Sequence, residues 1–337
     1  MIQQFMTTGI GSLPFKEPRK ASEFVVNAVD IPFWPQLPQR SSYELMIPQY
    51  SEGFPFITFE GDKFWIEKAS DDALTSFYEA IGQGRDFPIS ENYAAGFYAF
   101  VDILKEKGKK YPIIKGQITG PMTFTLGLSD KTRRPLYFDE ELRELSLELL
   151  KGKVRWQVKE LSHFAEKVLI FVDEPVLSAL GSSAYVGVDN DEALRLLSTI
   201  VSSIKDEGAL AGMHCCSNAD WSMVIASGID ILNFDAYDYA DSIHLYIEDV
   251  KIFLNNNCYI AWGIVPTNET IRSVNAQLLK NKLEGEFKIL EKMGIPHETL
   301  TRQSLFTPSC GTGSMTQEDS IRVFQILKEV KALYRSC

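Results

Sequence analysis

Residues 168–175 read VLIFVDEP, an unbroken apolar run that stops abruptly at two acids and a proline. A run this short, without alternation and closed by turn chemistry, predicts a strand buried on both faces, as in a parallel sheet. Seven more runs of the same kind flank it. They are FMTTGIGS (5–12), IPFWPQ (31–36), PIIKGQITG (112–120), ALAGMHCC (209–216), DILNFD (230–235), CYIAWGIVP (258–266) and QSLFTPSCG (303–311). Helical patterns lie between them at 17–29, 91–107, 139–166, 189–206, 268–293 and 316–334. Asp139 and Asp189 stand where N-caps belong, each followed by acids in the first turn.

Eight strands alternating with helices predict an α/β fold of the (β/α)8 TIM-barrel type, a single domain over residues 1–337. The stretch from Leu37 to Lys110 is too long for one βα unit, so an insertion is expected after the second strand. The alternative, an open doubly wound sheet, normally carries a glycine-rich phosphate loop after its first strand. GIGSLPF (9–15) has neither that spacing nor an immediate helix.

Composition narrows the function classes. The 337 residues include 34 Lys and Arg against 45 Asp and Glu, a net charge of -11 that lacks the basic footprint of a nucleic-acid or anionic-membrane surface. No run approaches the ~20 apolar residues of a membrane span, and the first residues do not read as a signal peptide. Five cysteines in a chain of this length predict a reduced, cytoplasmic protein. A cysteine with a special role is then expected to be a ligand or a nucleophile.

Barrel active sites form at the C-terminal ends of the strands. Those ends read Gly11-Ser12, Gln36, Thr119, Asp173-Glu174, His214-Cys215-Cys216, Asp235, Pro266-Thr267 and Ser309-Cys310. Side chains alternate along a strand, so His214 and Cys216 face one way and Cys215 the other. With Cys310 arriving from the eighth strand, three zinc donors converge, and Asp235 on the neighbouring strand is placed to fill the fourth position. Small buried cysteines are also common core residues. Cys258, which begins a strand, and Cys337, at the terminus, are expected to be bystanders, and His163, His244 and His297 structural or solvated. Asp173 could bind an ammonium group, although an acidic pair is equally a helix cap. Ser12, with the backbone N–H groups around Gly11, could hold a carboxylate. Arg40 and Glu44 lie in a loop rich in proline, glutamine and aromatic residues that follows the second strand, where substrate contacts are common.

Together these motifs resemble a known family. TTGIGSLP (7–14), GPMT (120–123), VDEP (172–175), HCC (214–216), DILNFD (230–235) and PSCG (308–311) occur in the order found in the C-terminal domain of cobalamin-independent methionine synthase. That family shares a TIM-barrel superfamily with uroporphyrinogen decarboxylase and the corrinoid:thiol methyltransferases. The resemblance covers most of the chain. It implies zinc held by His214, Cys216 and Cys310, with Asp235 where the family has a glutamate. It implies a homocysteine site in which Ile10, Gly11 and Ser12 take the carboxylate and Asp173 the amino group, with Glu44 an approximate match for a second family glutamate. The family's proton-donating histidine after the seventh strand has no counterpart, since residues 262–268 read WGIVPTN. Nor is the family's long N-terminal, folate-binding half represented.

Expelling a tetrahydrofolate nitrogen needs a general acid, whereas cob(I)alamin departs without a proton. The expected reaction is therefore zinc-dependent methyl transfer to homocysteine, giving methionine, with methylcobalamin or a methylated corrinoid protein as donor. Other readings are a methylcobalamin:coenzyme M-type transferase, a uroporphyrinogen-decarboxylase-like lyase, and a non-catalytic zinc protein. The lyase would want an arginine-rich N-terminal segment, and residues 1–30 contain only Arg19.

Overall fold

Seven strands run parallel in one curled sheet. The computed structural model describes residues 2–335. In chain order the strands are β1 (Met6–Thr7), a hairpin β2 (Ile57–Glu60) and β3 (Lys63–Ile66), β4 (Tyr111–Thr119), β5 (Ala165–Asp173), β6 (Leu210–Cys215), β7 (Ile231–Phe234), β8 (Tyr259–Val265) and β9 (Ser304–Pro308). The sheet order is β1-β9-β8-β7-β6-β5-β4, with β2 and β3 paired apart from it. Every neighbouring pair in the large sheet is parallel. Helices cover its outer face, which explains why β5 is apolar through Val168–Val172 rather than alternating. Met6, Ile31, Ile113, Leu169, Ile231 and Leu305 belong to a second, smaller apolar cluster, which fills the inside of the curl.

The expected eighth strand, 31–36, does not form a ladder. It lies between β1 and β4 and makes one isolated parallel bridge to each side, Ser12 with Gln36 and Phe33 with Lys115. Ile31 N donates to Thr7 O at 3.0 Å, Gln36 N to Gly11 O at 3.1 Å, and Lys115 N to Pro32 O at 2.8 Å. Pro32 and Pro35 have no N–H to offer, so a continuous strand cannot form there. The expectation of a complete eight-stranded barrel is corrected accordingly: the ladder has seven strands, and a proline-broken segment occupies the eighth position.

The insertion after this segment holds a 3-10 turn (Ser42–Glu44), a short helix (Met46–Ser51), the β2–β3 hairpin and the helix Asp71–Gly82. Asp139 and Asp189 cap their helices by accepting from Leu142 N and Glu192 N. Among the described residues, no helix is long and apolar enough to cross a membrane.

The helix Ala95–Lys107 fixes where 31–36 sits. A β-carbon added at Gly96 would fall 1.9 Å from the Pro35 carbonyl oxygen, so helix and segment touch backbone to backbone. Gly96→Ala should therefore overpack this contact and cost about 1–3 kcal/mol, seen as a lower midpoint in urea unfolding. An unchanged midpoint would contradict the close approach.

Candidate metal centre

One strand residue and two loop residues build the donor cluster. His214 is on β6 and Cys216 lies one residue past its end, while Cys215 between them turns into the outer core. Cys310 lies two residues past β9. His214 Nε2 is 3.1 Å from Cys216 Sγ, and Cys216 Sγ is 3.0 Å from Cys310 Sγ. The three donor atoms all lie within 4.8 Å of one another.

The histidine ring is oriented from behind. Asn233, directly across from His214 on β7, donates through Nδ2 to Ala261 O at 2.6 Å and to Thr307 Oγ1 at 2.8 Å. Its amide nitrogen is thereby committed, and Oδ1 must face His214 Nδ1, 2.6 Å away. Nδ1 then carries hydrogen and Nε2 turns to the sulfurs, the arrangement in which an imidazole ligates a metal.

Charge in the cluster is arranged for a cation. Hydrogen bonding from Cys216, followed by the hydrogen bond and charge of His214, holds the Cys310 thiol far below its usual range, against the effect of burial. Cys216 is pushed up because its proton is held beside that thiolate. Burial disfavours charge on His214, but Cys310 and Asp173 outweigh it and the net shift is upward. A site that gathers positive charge around sulfur, with one nitrogen and two sulfurs converging, fits the donor set of zinc.

The carboxylates expected to join the site behave differently from one another. Asp235 stays outside the three-donor cluster. Its Oδ1 accepts from Tyr237 N at 2.9 Å and Asp238 N at 3.0 Å and caps the helix Ala236–Tyr239, an easy geometry for a short acidic side chain. Glu174 takes the capping role weighed for the acidic pair. It accepts from Met122 N, Thr123 N and Thr123 Oγ1 at 2.8, 2.8 and 2.6 Å, at the start of the helix Pro121–Gly127. Asp173 is buried, and its Oδ1 has no hydrogen-bond partner among the described residues. Burial pushes its carboxyl above the usual range, against the pull of His214 and Lys115.

The three donors and Asp173 open onto a cavity of about 430 Å3, whose wall includes neither Asp235 nor Glu174. Ile10, Ser12, Glu44, Asp173, His214, Cys216 and Cys310 all contribute to its wall. Gly11 is the bend between two of them, and a β-carbon there would meet Gln36 Oε1 at 2.6 Å. Ser12 Oγ accepts from Gly313 N at 3.2 Å, tying the segment that follows β1 to the loop after β9. The Glu44 carboxylate is already engaged, accepting from Leu37 N at 3.0 Å and Arg40 Nη1 at 2.8 Å. A groove of about 480 Å3 between the helices Pro18–Ala28 and Gln317–Arg335 is slightly larger. It holds no cluster of metal donors, so the chemistry assigns the site to the smaller cavity.

The remaining candidates stand apart. His244 pairs with Glu286 at 2.5 Å and His297 with Glu291 at 2.7 Å, while His163 ends a helix. Cys258 is half-buried at the start of β8, and Cys337 lies outside the described residues. Sequence reasoning missed Asn233 and Lys115. Both were visible as polar residues inside apolar runs, DILNFD and PIIKGQITG.

Comparison with protein-family models gives no match, and comparison with curated protein sequences gives none. Among solved structures the chain is similar to a B12-independent methionine synthase from Shewanella sp. W3-18-1 in complex with selenomethionine. The identity is 16% and the TM-score 0.64, with 99% of this chain and 98% of that one covered. It is also similar to a methyltransferase from Methanosarcina mazei, at 12% identity and a TM-score of 0.59, covering 99% and 95% of the two chains. Likeness at these identities defines the fold, which is TIM-barrel-like.

Removing the acceptor behind His214 should loosen the centre without touching a donor atom. Asn233→Leu is expected to bind zinc roughly 10- to 100-fold more weakly in competition with a chelator, while Asn233→Asp retains most of the affinity. Unchanged affinity in the leucine variant would remove Asn233 from this role.

Proposed function

We propose that the protein transfers a methyl group to the thiol of homocysteine, forming methionine, with zinc held by His214, Cys216 and Cys310. The observation that carries this reading is the nitrogen-and-two-sulfur cluster opening onto a cavity whose wall also holds a buried carboxylate oxygen with no partner among the described residues. The shared fold with a methionine synthase and a methyltransferase supports it. Asp235, at the end of the neighbouring strand, is the candidate for a fourth, exchangeable ligand.

Free thiols have a pKa of ~8.5 and are mostly protonated at neutral pH. When bound, zinc deprotonates a coordinating thiol and so supplies a nucleophile. The protein's own groups position it. Asp173 Oδ1 accepts the substrate ammonium, which gives the orphaned oxygen its missing donor. Glu44 stands on the same wall as a second acidic neighbour. Ser12 and the backbone of Ile10 and Gly11 receive the carboxylate. The substrate sulfur then attacks in line: the S–C bond forms as the donor–C bond breaks, and the electron pair leaves with the donor.

A corrinoid donor, free methylcobalamin or a methylated corrinoid protein, fits this site better than a folate. Cob(I)alamin departs with its electron pair and needs no proton. A folate nitrogen needs an acid nearby, and after β8 the chain reads Val265-Pro266-Thr267, with Thr267 Oγ1 in a 3.1 Å hydrogen bond to Ser309 Oγ. Methyl transfer to coenzyme M would leave Asp173 without an ammonium to bind. A porphyrinogen-type decarboxylase would use arginines near the N-terminus, but Arg19 is exposed and paired with Glu106.

The deciding assay supplies zinc, homocysteine and either methylcobalamin or methyltetrahydrofolate. Methionine is expected to form with loss of the corrinoid methyl group, and turnover with the folate alone would overturn the donor assignment. Asp173→Asn should weaken homocysteine binding about tenfold or more, as loss of a charge-assisted hydrogen bond implies. Coenzyme M binding should be unchanged in the same variant, and equal loss for both thiols would contradict the role given to Asp173.

A further inference from the structure

Lys115 is fully buried inside the sheet, on β4 below the cavity, and the mechanism above gives it no part. Its Nζ donates to the Ile10 carbonyl oxygen at 2.5 Å and to Gln117 Oε1 at 3.2 Å, and lies 4.7 Å from the centre of the Phe171 ring. Burying a lysine end is costly. A stretch of ordinary strand would satisfy the Ile10 carbonyl through the sheet ladder. Here the ladder between β1 and β9 ends at Thr7 and Phe306, so a side chain does it instead.

The opposite edge of that peptide is free. A trans peptide directs its C=O and the following N–H to opposite sides, so fixing the Ile10 carbonyl toward Lys115 turns the Gly11 N–H away from it. Among the described residues, no hydrogen-bond acceptor is found for the N–H of Ile10, Gly11 or Ser12, while Ile10 and Ser12 face the cavity. The unpaired Gly11 N–H, between two residues of the cavity wall, is a donor left for an anion. A strong donor on the carbonyl of a peptide also polarises its N–H and strengthens it as a donor in turn.

We propose that Lys115 is a positioning residue: by pinning the Ile10 carbonyl it aims and polarises the Gly11 N–H that receives the carboxylate of an amino-acid thiol. The proposal rests on the thiol-acceptor reading above. Its distinguishing consequence is that Lys115 hydrogen-bonds only at the carboxylate end of the ligand, while at the ammonium end its charge reaches Asp173 through space and acts on both kinds of thiol alike.

The test uses the full chain loaded with cobalt(II) in place of zinc, with thiol binding read from the sulfur-to-cobalt charge-transfer band. Two probes are compared, L-homocysteine and 3-aminopropanethiol, which is the same molecule without the carboxylate. Wild-type protein is expected to prefer homocysteine. Lys115→Met should weaken homocysteine about tenfold more than it changes 3-aminopropanethiol, the scale of one lost hydrogen bond, so that the preference for homocysteine falls by that factor. Should the methionine variant not fold, Lys115→Gln, which keeps a donor but shortens it, should lose part of the preference for homocysteine. Equal weakening of both thiols, or full preference retained in the folded variants, would overturn the proposal while leaving the thiol-acceptor reading intact. Wild-type protein binding neither thiol at the metal would overturn both.

Discussion

The Asn233–His214 hydrogen bond joins the fold to the site. Asn233 spends its two amide hydrogens on Ala261 of β8 and Thr307 of β9, and this leaves its oxygen only one direction in which to point. Three adjacent parallel strands are thus locked to the orientation of one imidazole. The alternation of side chains on β6 does the rest, placing Cys216 beside His214 and sending Cys215 outward. Because all the strands are parallel, the end of β9 arrives at the same pole and brings Cys310 with it. A barrel-like sheet can therefore assemble a three-donor cluster from residues 96 positions apart with no long connecting loop between them.

Buried charge then separates structural groups from groups that await a ligand. Glu174 and Asp173 are neighbours, and both are buried. Three donors from the helix Pro121–Gly127 satisfy Glu174, so its cost of burial is met within the fold. One oxygen of Asp173 is met by nothing among the described residues. An unmet buried acceptor costs about 1–3 kcal/mol, and proteins retain such groups where a bound molecule supplies the missing donor. The unpaired N–H groups at Ile10–Ser12 have the opposite requirement on the same cavity. Under the proposed reading, an amino acid, with an ammonium and a carboxylate on one carbon, answers both.

Much of this was readable in the chain because it depends on local pattern. The apolar runs around VLIFV and LAGM predict β5 and β6 to within a few residues, and the capping roles of Asp139 and Asp189 follow from residue type and position. His214, Cys216 and Cys310 could be grouped because parallel strands bring their ends together. What was not legible depends on three-dimensional competition for hydrogen bonds. IPFWPQ is as apolar as a strand, yet two prolines remove the donors a ladder needs. Asp235 is the expected residue type at a strand end, and its capping bonds to Tyr237 N and Asp238 N, which engage one of its two oxygens, could not be read from the strand pattern. Lys115 and Asn233 act through partners far away in sequence, Ile10 and His214, which no local spacing reveals. The β2–β3 hairpin lay within a stretch recognised only as an insertion.

Every role proposed for the cavity depends on a metal bound by His214, Cys216 and Cys310. Zinc K-edge absorption spectroscopy on protein purified without chelator measures this most directly. It predicts one zinc per chain with two sulfur neighbours and one imidazole nitrogen, and a third sulfur once homocysteine is added. Protein that binds no zinc, or a zinc shell that keeps its sulfur count when Cys310 is changed to serine, would contradict it.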